Sequence, residues 1–183
     1  MDLKAIGMIE LNSIAKGVEA CDKMLKSAAV EIVSAQPICA GKYMVIVSGD
    51  VDSVERASDV GHESAEEFLV DSFVIPNVHS SVFPALTATT QVSQIDSLGV
   101  IETFSVASAI MAGDAAAKAA NIDIIEIRCA TGLGGKSFLY LIGDVDSVNV
   151  AVEAGIDVLH GSGLVLSHVV IPYLSEDMTR FIL

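Results

Sequence analysis

Positive charge is scarce in this chain. Ten lysines and arginines stand against 24 aspartates and glutamates, the net charge is −14, and the basic residues form no cluster. A phosphate backbone is held by grouped Lys and Arg side chains, so nucleic acid is not expected as a partner. Long apolar runs are missing too. No stretch approaches the roughly 18 uninterrupted apolar residues of a membrane-spanning helix. Yet 52% of the residues are hydrophobic and only 19% charged, with a mean hydropathy of +0.59. A membrane is therefore not an expected partner, and the excess apolar surface is expected to meet other subunits. Cysteine is limited to Cys21, Cys39 and Cys129, an odd number without a CxxC, which argues against a disulfide framework and for a reducing compartment. Met1–Lys4 has neither a basic nor an apolar leader region, so a cytoplasmic protein is expected.

Catalytic signatures are equally thin. The four histidines, His62, His79, His160 and His168, show no HxH or HExxH spacing, and a locally built zinc site is not expected. GxSxG, paired catalytic carboxylates and Cys/His pairs of recognisable spacing are missing as well, so the chain is not expected to be an enzyme. One near-match stands against this. Ala130-Thr131-Gly132-Leu133-Gly134-Gly135-Lys136-Ser137 resembles a phosphate loop with Ala130 in place of the first glycine. Such a loop must open a helix, whereas Phe138–Ile142 reads as a strand, so the context fails.

What the chain does contain is a copy of itself. Gly49-Asp50-Val51-Asp52-Ser53-Val54 recurs as Gly143-Asp144-Val145-Asp146-Ser147-Val148. Gly7, Glu10, Ser13, Asp22 and Lys26 recur 92 positions later as Gly99, Glu102, Ser105, Asp114 and Lys118. From Gly41/Gly135 and Lys42/Lys136 onward the offset is 94, so the second half carries two extra residues between the Val33/Ile125 pair and the Gly-Lys pairs. A segment that tolerates a length change is a surface loop, where function is usually carried. Two units of roughly 90 residues each are expected, over 1–88 and 96–183, with the Ser/Thr-rich stretch 80–97 as the linker region.

Within one unit, Ala5–Leu11 is a β-forming run and Ser13 a helix cap. Ile14, Val18, Cys21, Leu25 and Ala28 recur at helical spacing as one apolar stripe, repeated with smaller side chains by Val106, Ile110, Gly113, Ala117 and Ala120. Strands over Val30–Ala35 and Tyr43–Ser48 flank a turn at Pro37–Lys42. Asp50 or Asp52 caps a second helix with Val54, Ala57, Gly61 and Ala65 on one face, and Leu69–Ile75 closes the unit. The expected order is β-α-β-β-α-β, twice, an α/β chain of the α+β kind. Glu176–Leu183 reads as a short tail.

Cys39 stands in the first hairpin turn, where a thiol is accessible, while the counterpart loop has Thr131 and glycines. Cys21, on the helix stripe, and Cys129, near a strand end, read as buried and inert.

Ala5-Ile6-Gly7-Met8-Ile9-Glu10, Asp22-Lys23-Met24-Leu25-Lys26-Ser27-Ala28, Gly41-Lys42 and Gly49-Asp50-Val51, with Leu98–Thr103 and Gly143-Asp144-Val145 in the second half, together resemble the shell-protein domain of bacterial microcompartments. The resemblance covers nearly the whole chain. It is strongest to tandem-domain, T-type members of propanediol-utilisation compartments, around Ile38-Cys39-Ala40-Gly41-Lys42. It implies a flat homotrimer imitating the hexamer of single-domain relatives, tiled with other shell proteins, with encapsulated redox enzymes as further partners. Lys26 and Lys118 match the family's edge lysine. Its Pro-Arg-Pro-His edge segment corresponds to Pro76-Asn77-Val78-His79, without the arginine, and Pro172-Tyr173-Leu174-Ser175 departs further. The hairpin turns would surround a central pore, here Pro37, Ile38, Ala40, Gly41, Thr131, Gly132, Leu133, Gly134 and Gly135. In T-type members the turn cysteine, matched by Cys39, binds a [4Fe-4S] cluster. A binding reading without a metal also stands open: Thr131–Gly135 offers backbone N–H groups to a small metabolite in the pore.

Overall fold

The computed structural model describes residues 5–92 and 94–182. Met1–Lys4, on which the reading of a missing leader rests, lie outside the described residues, as do Ser93 of the linker region and Leu183. Backbone contacts divide the chain after Val78 into two units.

Unit 1 runs β1 (Ala5–Leu11), α1 (Ile14–Ser27), β2 (Glu31–Ile38), β3 (Lys42–Gly49), α2 (Val51–Ala65), a short 3-10 turn and β4 (Leu69–Pro76). The strands form an antiparallel sheet in the order β2-β3-β1-β4. The central pair β1 and β3 is buried almost throughout. α1 and α2 pack on each other and against it, so Ile9, Leu11, Met24, Val45, Val47 and Ala57 make the core. Ser13 caps α1 by accepting from the Lys16 N–H at 3.3 Å, and Asp50, not Asp52, caps α2 by accepting from the Ser53 N–H at 2.9 Å.

Unit 2 starts with α3 (Val82–Leu86), then repeats the plan as β5 (Ser97–Thr103), α4 (Val106–Ala119), β6 (Asp123–Arg128), β7 (Ser137–Gly143), α5 (Val145–Asp157) and β8 (Val165–Ile171), and ends in α6 (Glu176–Ile182). Its sheet order is β6-β7-β5-β8. Even the irregularities recur. Ladder shifts at Glu10/Leu11 and between Ile32 and Ser34 return at Glu102/Thr103 and between Ile124 and Glu126. Ser105 and Asp144 repeat the two caps, so the duplicated Gly-Asp-Val-Asp-Ser-Val phrase is in both units a strand end followed by a capped helix start.

Gly61 and Gly155 let the second helix of each unit approach its neighbours closely. A methyl at Gly61 would lie 2.8 Å from Met24 Sδ and 3.0 Å from Ile9 Cδ1; at Gly155 it would lie 2.7 Å from Ile101 Cδ1 and 3.1 Å from the Ala112 carbonyl oxygen.

Three expectations need correction. The apolar stripe of α1 meets the core of its unit only through Cys21 and Ala28: the buried residues are Gly17, Ala20, Cys21 and Met24, while Ile14, Val18 and Leu25 are exposed. The first hairpin is tighter than expected, because Pro37 and Ile38 are the last residues of β2, paired with Tyr43 and Lys42. β2 is an edge strand, and a proline near its end leaves no central ladder bond unmade. The linker region and the tail both contain a helix, α3 and α6.

Candidate functional site

The two β-hairpins are equivalent by descent and unequal in build. In unit 1 the ladder closes at Ile38↔Lys42, leaving only Cys39, Ala40 and Gly41 between the strands. Gly41 has φ +77 with nothing near an added methyl, so it is needed for its left-handed backbone rather than for space. In unit 2 the ladder stops at Arg128↔Phe138, and the loop runs from Cys129 to Lys136. Two pairings are lost and two residues inserted. The freed chain is shaped by left-handed residues at Ala130, Gly132, Gly134 and Gly135. It is pinned by Thr131 Oγ1 donating to the Cys129 carbonyl at 3.0 Å and by the Lys136 N–H donating to the Leu133 carbonyl at 3.2 Å. Ser137–Gly143 is a strand, so this glycine-rich loop opens no helix, as the sequence indicates.

Each hairpin is tied to its sheet by one ion pair. Lys42 Nζ lies 2.5 Å from Glu10 Oε1, and Lys136 Nζ lies 2.6 Å from Glu102 Oε1. The pairs differ in burial: the Glu10 side chain is 3% exposed and that of Glu102 34%. A carboxylate as enclosed as Glu10 is tolerated only with a partner this close. Sequence reading found all four residues as repeats but not as pairs, because lysine and glutamate are more than 30 positions apart and meet only through the β1–β3 and β5–β7 registers. At the foot of the second hairpin Arg128 Nε donates to Glu126 at 2.6 Å, which raises the guanidinium pKa above its usual value, and its cation lies 5.5 Å from the Phe138 ring centre.

The three cysteines part as expected. Cys21 and Cys129 are buried, and burial, with the Asp22 charge beside it, pushes the Cys21 thiol up in pKa. Cys39 is half-buried. Among the described residues no group of three or more His, Cys, Asp or Glu side chains is placed to hold a metal within one chain.

Of the residues matched to a family edge, Lys26 reaches Asp22 at 2.6 Å on an exposed stretch of α1. Lys118 reaches Asp114 at 2.6 Å, and the other Asp114 oxygen accepts the His79 N–H at 2.8 Å. His79 Nδ1 also meets Ser81 Oγ at 2.8 Å. Lys118, Asp114 and His79 therefore form one cluster, while Lys26 stands apart with Asp22. His160 and His168, which share no sequence spacing, line a pocket of about 260 Å³ with Asp157 beyond the end of α5; the bend of the chain around Gly161 and Gly163 brings them together. No helix among the described residues is long and apolar enough to cross a membrane.

Two antiparallel four-stranded units with paired helices, repeated down to their bulges and each ending its β-hairpin in an anchored turn, define a tandem-domain shell protein of bacterial microcompartments. The BMC domain family matches residues 5–78 and 97–174, and the chain belongs to it. It is 43% identical to the bacterial microcompartment shell protein PduT of Citrobacter freundii, over 97% of this chain and 96% of that one. A crystal structure of a microcompartments protein from Desulfitobacterium hafniense DCB superposes with a TM-score of 0.93 at 45% identity, covering 97% and 99% of the two chains. The shell protein PduA of Citrobacter freundii is 38% identical over 84 residues, 45% of this chain but 90% of its own length, so one unit here corresponds to nearly that entire protein.

Proposed function

We propose that three copies of this chain close into a flat tile of a microcompartment shell in the cytoplasm, six similar units around a central pore lined by the two kinds of hairpin turn. Two like units in one polypeptide support this, since three chains then supply six quasi-equivalent positions. The tile lies beside other shell proteins and serves enclosed redox enzymes. It is a structural part with a pore rather than an enzyme.

The observation that carries the functional part is Cys39 at the tip of one hairpin, where the equivalent turn has Thr131. Its thiol is the least buried of the three, and the described residues of one chain assemble no ligand set, so a metal group held by Cys39 would be shared between copies. Three thiolates fit a [4Fe-4S] cluster whose remaining iron takes a non-protein ligand. When bound, such a cluster supplies one-electron transfer across the shell. The chain's own part is to present the thiol on a three-residue turn whose base is fixed by Lys42 and Glu10. Anaerobic reconstitution, one-electron reduction with dithionite and electron paramagnetic resonance test this: a signal of the reduced cluster is expected, and its survival unchanged in Cys39→Ser removes Cys39 as the ligand.

A second reading concerns the other turn. Gly132, Gly134 and Gly135 are all left-handed, with open space at Gly132 and Gly134, as a loop needs to bring N–H groups to a small metabolite. Saturable binding by calorimetry in iron-free protein would favour it.

A further inference from the structure

The repeat supplies its own control for what a bare surface should carry. Ile14, Val18, Leu25 and Ile32, on the α1–β2 flank of unit 1, are each between 39% and 52% exposed. Their equivalents on the α4–β6 flank of unit 2, Val106, Ile110, Ala117 and Ile124, are at most 7% exposed. Residues 79–92 run along that second flank. α3 packs on β6 and α4, the His79 N–H donates to Asp114, and Thr90 Oγ1 donates to the Ile124 carbonyl at 2.8 Å. Val82 and Ala85 of α3 are fully buried.

The covering stretch also has a repeat. After β4 the chain turns through a left-handed Asn77 and buries Val78; after β8 it turns through a left-handed Tyr173 and buries Leu174. Continued in that register, His79 matches Ser175, Val82 matches Met178, Ala85 matches Phe181, and α3 matches α6. Ile182 packs on the cluster around Leu98 and Ile125, but Met178 and Phe181 are exposed, Phe181 to 74%. Among the described residues, both halves of such a contact are thus present and, apart from Ile182, left exposed. Lys16, Lys23 and Lys26 of α1 are already paired with Glu19, Glu66 and Asp22, so the match between the two surfaces is one of apolar side chains and register, not of charge.

We infer that the α1–β2 flank seats the C-terminal segment, residues 172–182, of a second copy of this chain, packed there as residues 79–92 pack on α4 and β6. Met178 and Phe181 take the places of Val82 and Ala85, and Asp22, the equivalent of Asp114, accepts the backbone N–H of the partner's Ser175. The contact is head-to-tail, each copy giving a tail and receiving one, so it repeats until the ring closes. This rests on the tile reading and names its joint.

Two double variants test it, Val18→Asp/Leu25→Asp on the seat and Met178→Asp/Phe181→Asp on the tail, with circular dichroism to confirm folding and light scattering for mass. Each alone is expected to be a folded monomer of 19.1 kDa. Mixed, they are expected to form a one-to-one dimer that grows no further, because one intact seat meets one intact tail and the remaining surfaces are both broken. If the aspartates unfold the chain, Val18→Ser/Leu25→Ser and Met178→Ser/Phe181→Ser repeat the test. Wild-type mass retained by either folded variant, or a mixture that stays monomeric, overturns this joint while leaving a trimeric tile in place. A monomeric wild-type protein overturns the tile reading itself.

Discussion

The two hairpins began as the same structure and now differ in three respects: length, anchor and chemistry. The first is a three-residue turn carrying a thiol, held by an ion pair whose carboxylate is buried. The second is an eight-residue loop with left-handed glycines, whose one thiol, Cys129, is buried at its start and whose further course carries Thr131 and glycines, held by an ion pair that water reaches from both sides. A short turn on a buried anchor suits a ligand that must be placed; a longer one on an exposed anchor suits a surface that accommodates. The sheets beneath are alike down to their bulges, so the divergence is confined to the segment where a length change costs the fold least.

The sharpest way to break this comparison is to remove the anchoring lysines in turn. Lys42→Met strands the Glu10 carboxylate in the core and is expected to cost about 3 kcal/mol of unfolding free energy in a urea titration. Lys136→Met removes a solvated pair and is expected to cost less than about 1 kcal/mol; equal losses would show that the anchors do not differ as their burial says. Next come the close-approach glycines. Gly155→Ala drives a methyl toward backbone as well as Ile101, whereas Gly61→Ala meets the flexible end of Met24. Losses of about 2 and about 1 kcal/mol are expected from overpacking, in that order. The caps should show no asymmetry: Ser13→Ala and Ser105→Ala are each expected to cost about 1 kcal/mol.

The smallest effect is one of pH. Asp50 and Asp144 have pKa values held below the ordinary 3.8, chiefly by the N–H groups of Ser53 and Ser147. Their contribution to stability is therefore complete above that ordinary value and is lost as pH falls through and below it. Asp50→Asn and Asp144→Asn should flatten the acid limb of the melting-temperature profile and leave the neutral plateau nearly unchanged.

Much of this architecture can be read from the residues. Duplication, element order, the serine and aspartate caps and the buried status of Cys21 and Cys129 all follow from local patterns, because caps and strand-to-helix transitions are encoded within a few positions. The failures share one cause. Ile14, Val18 and Leu25 form a helical stripe, and periodicity reports that a face is apolar without saying what it meets; the small residues Gly17 and Ala20, which let α1 approach its sheet, carry too little hydrophobic signal to compete. Pro37 reads as a strand breaker because a sequence does not say which strand is at the edge. α3 and α6 lie in stretches whose composition resembles a linker and a tail, and helices this short depend on tertiary support rather than on their own propensity. The anchoring pairs were out of reach for another reason: each joins residues that only the strand register makes neighbours.

Joining two such units in one polypeptide also fixes an alternation. In a closed ring of these chains joined head to tail, a change confined to the first hairpin appears at every second position and never at adjacent ones. In such a ring covalent linkage would act as a counting device: mutation at one codon, Cys39, would set the number of side chains of one kind at half the number of units, and separately encoded halves would have no means of enforcing that pattern.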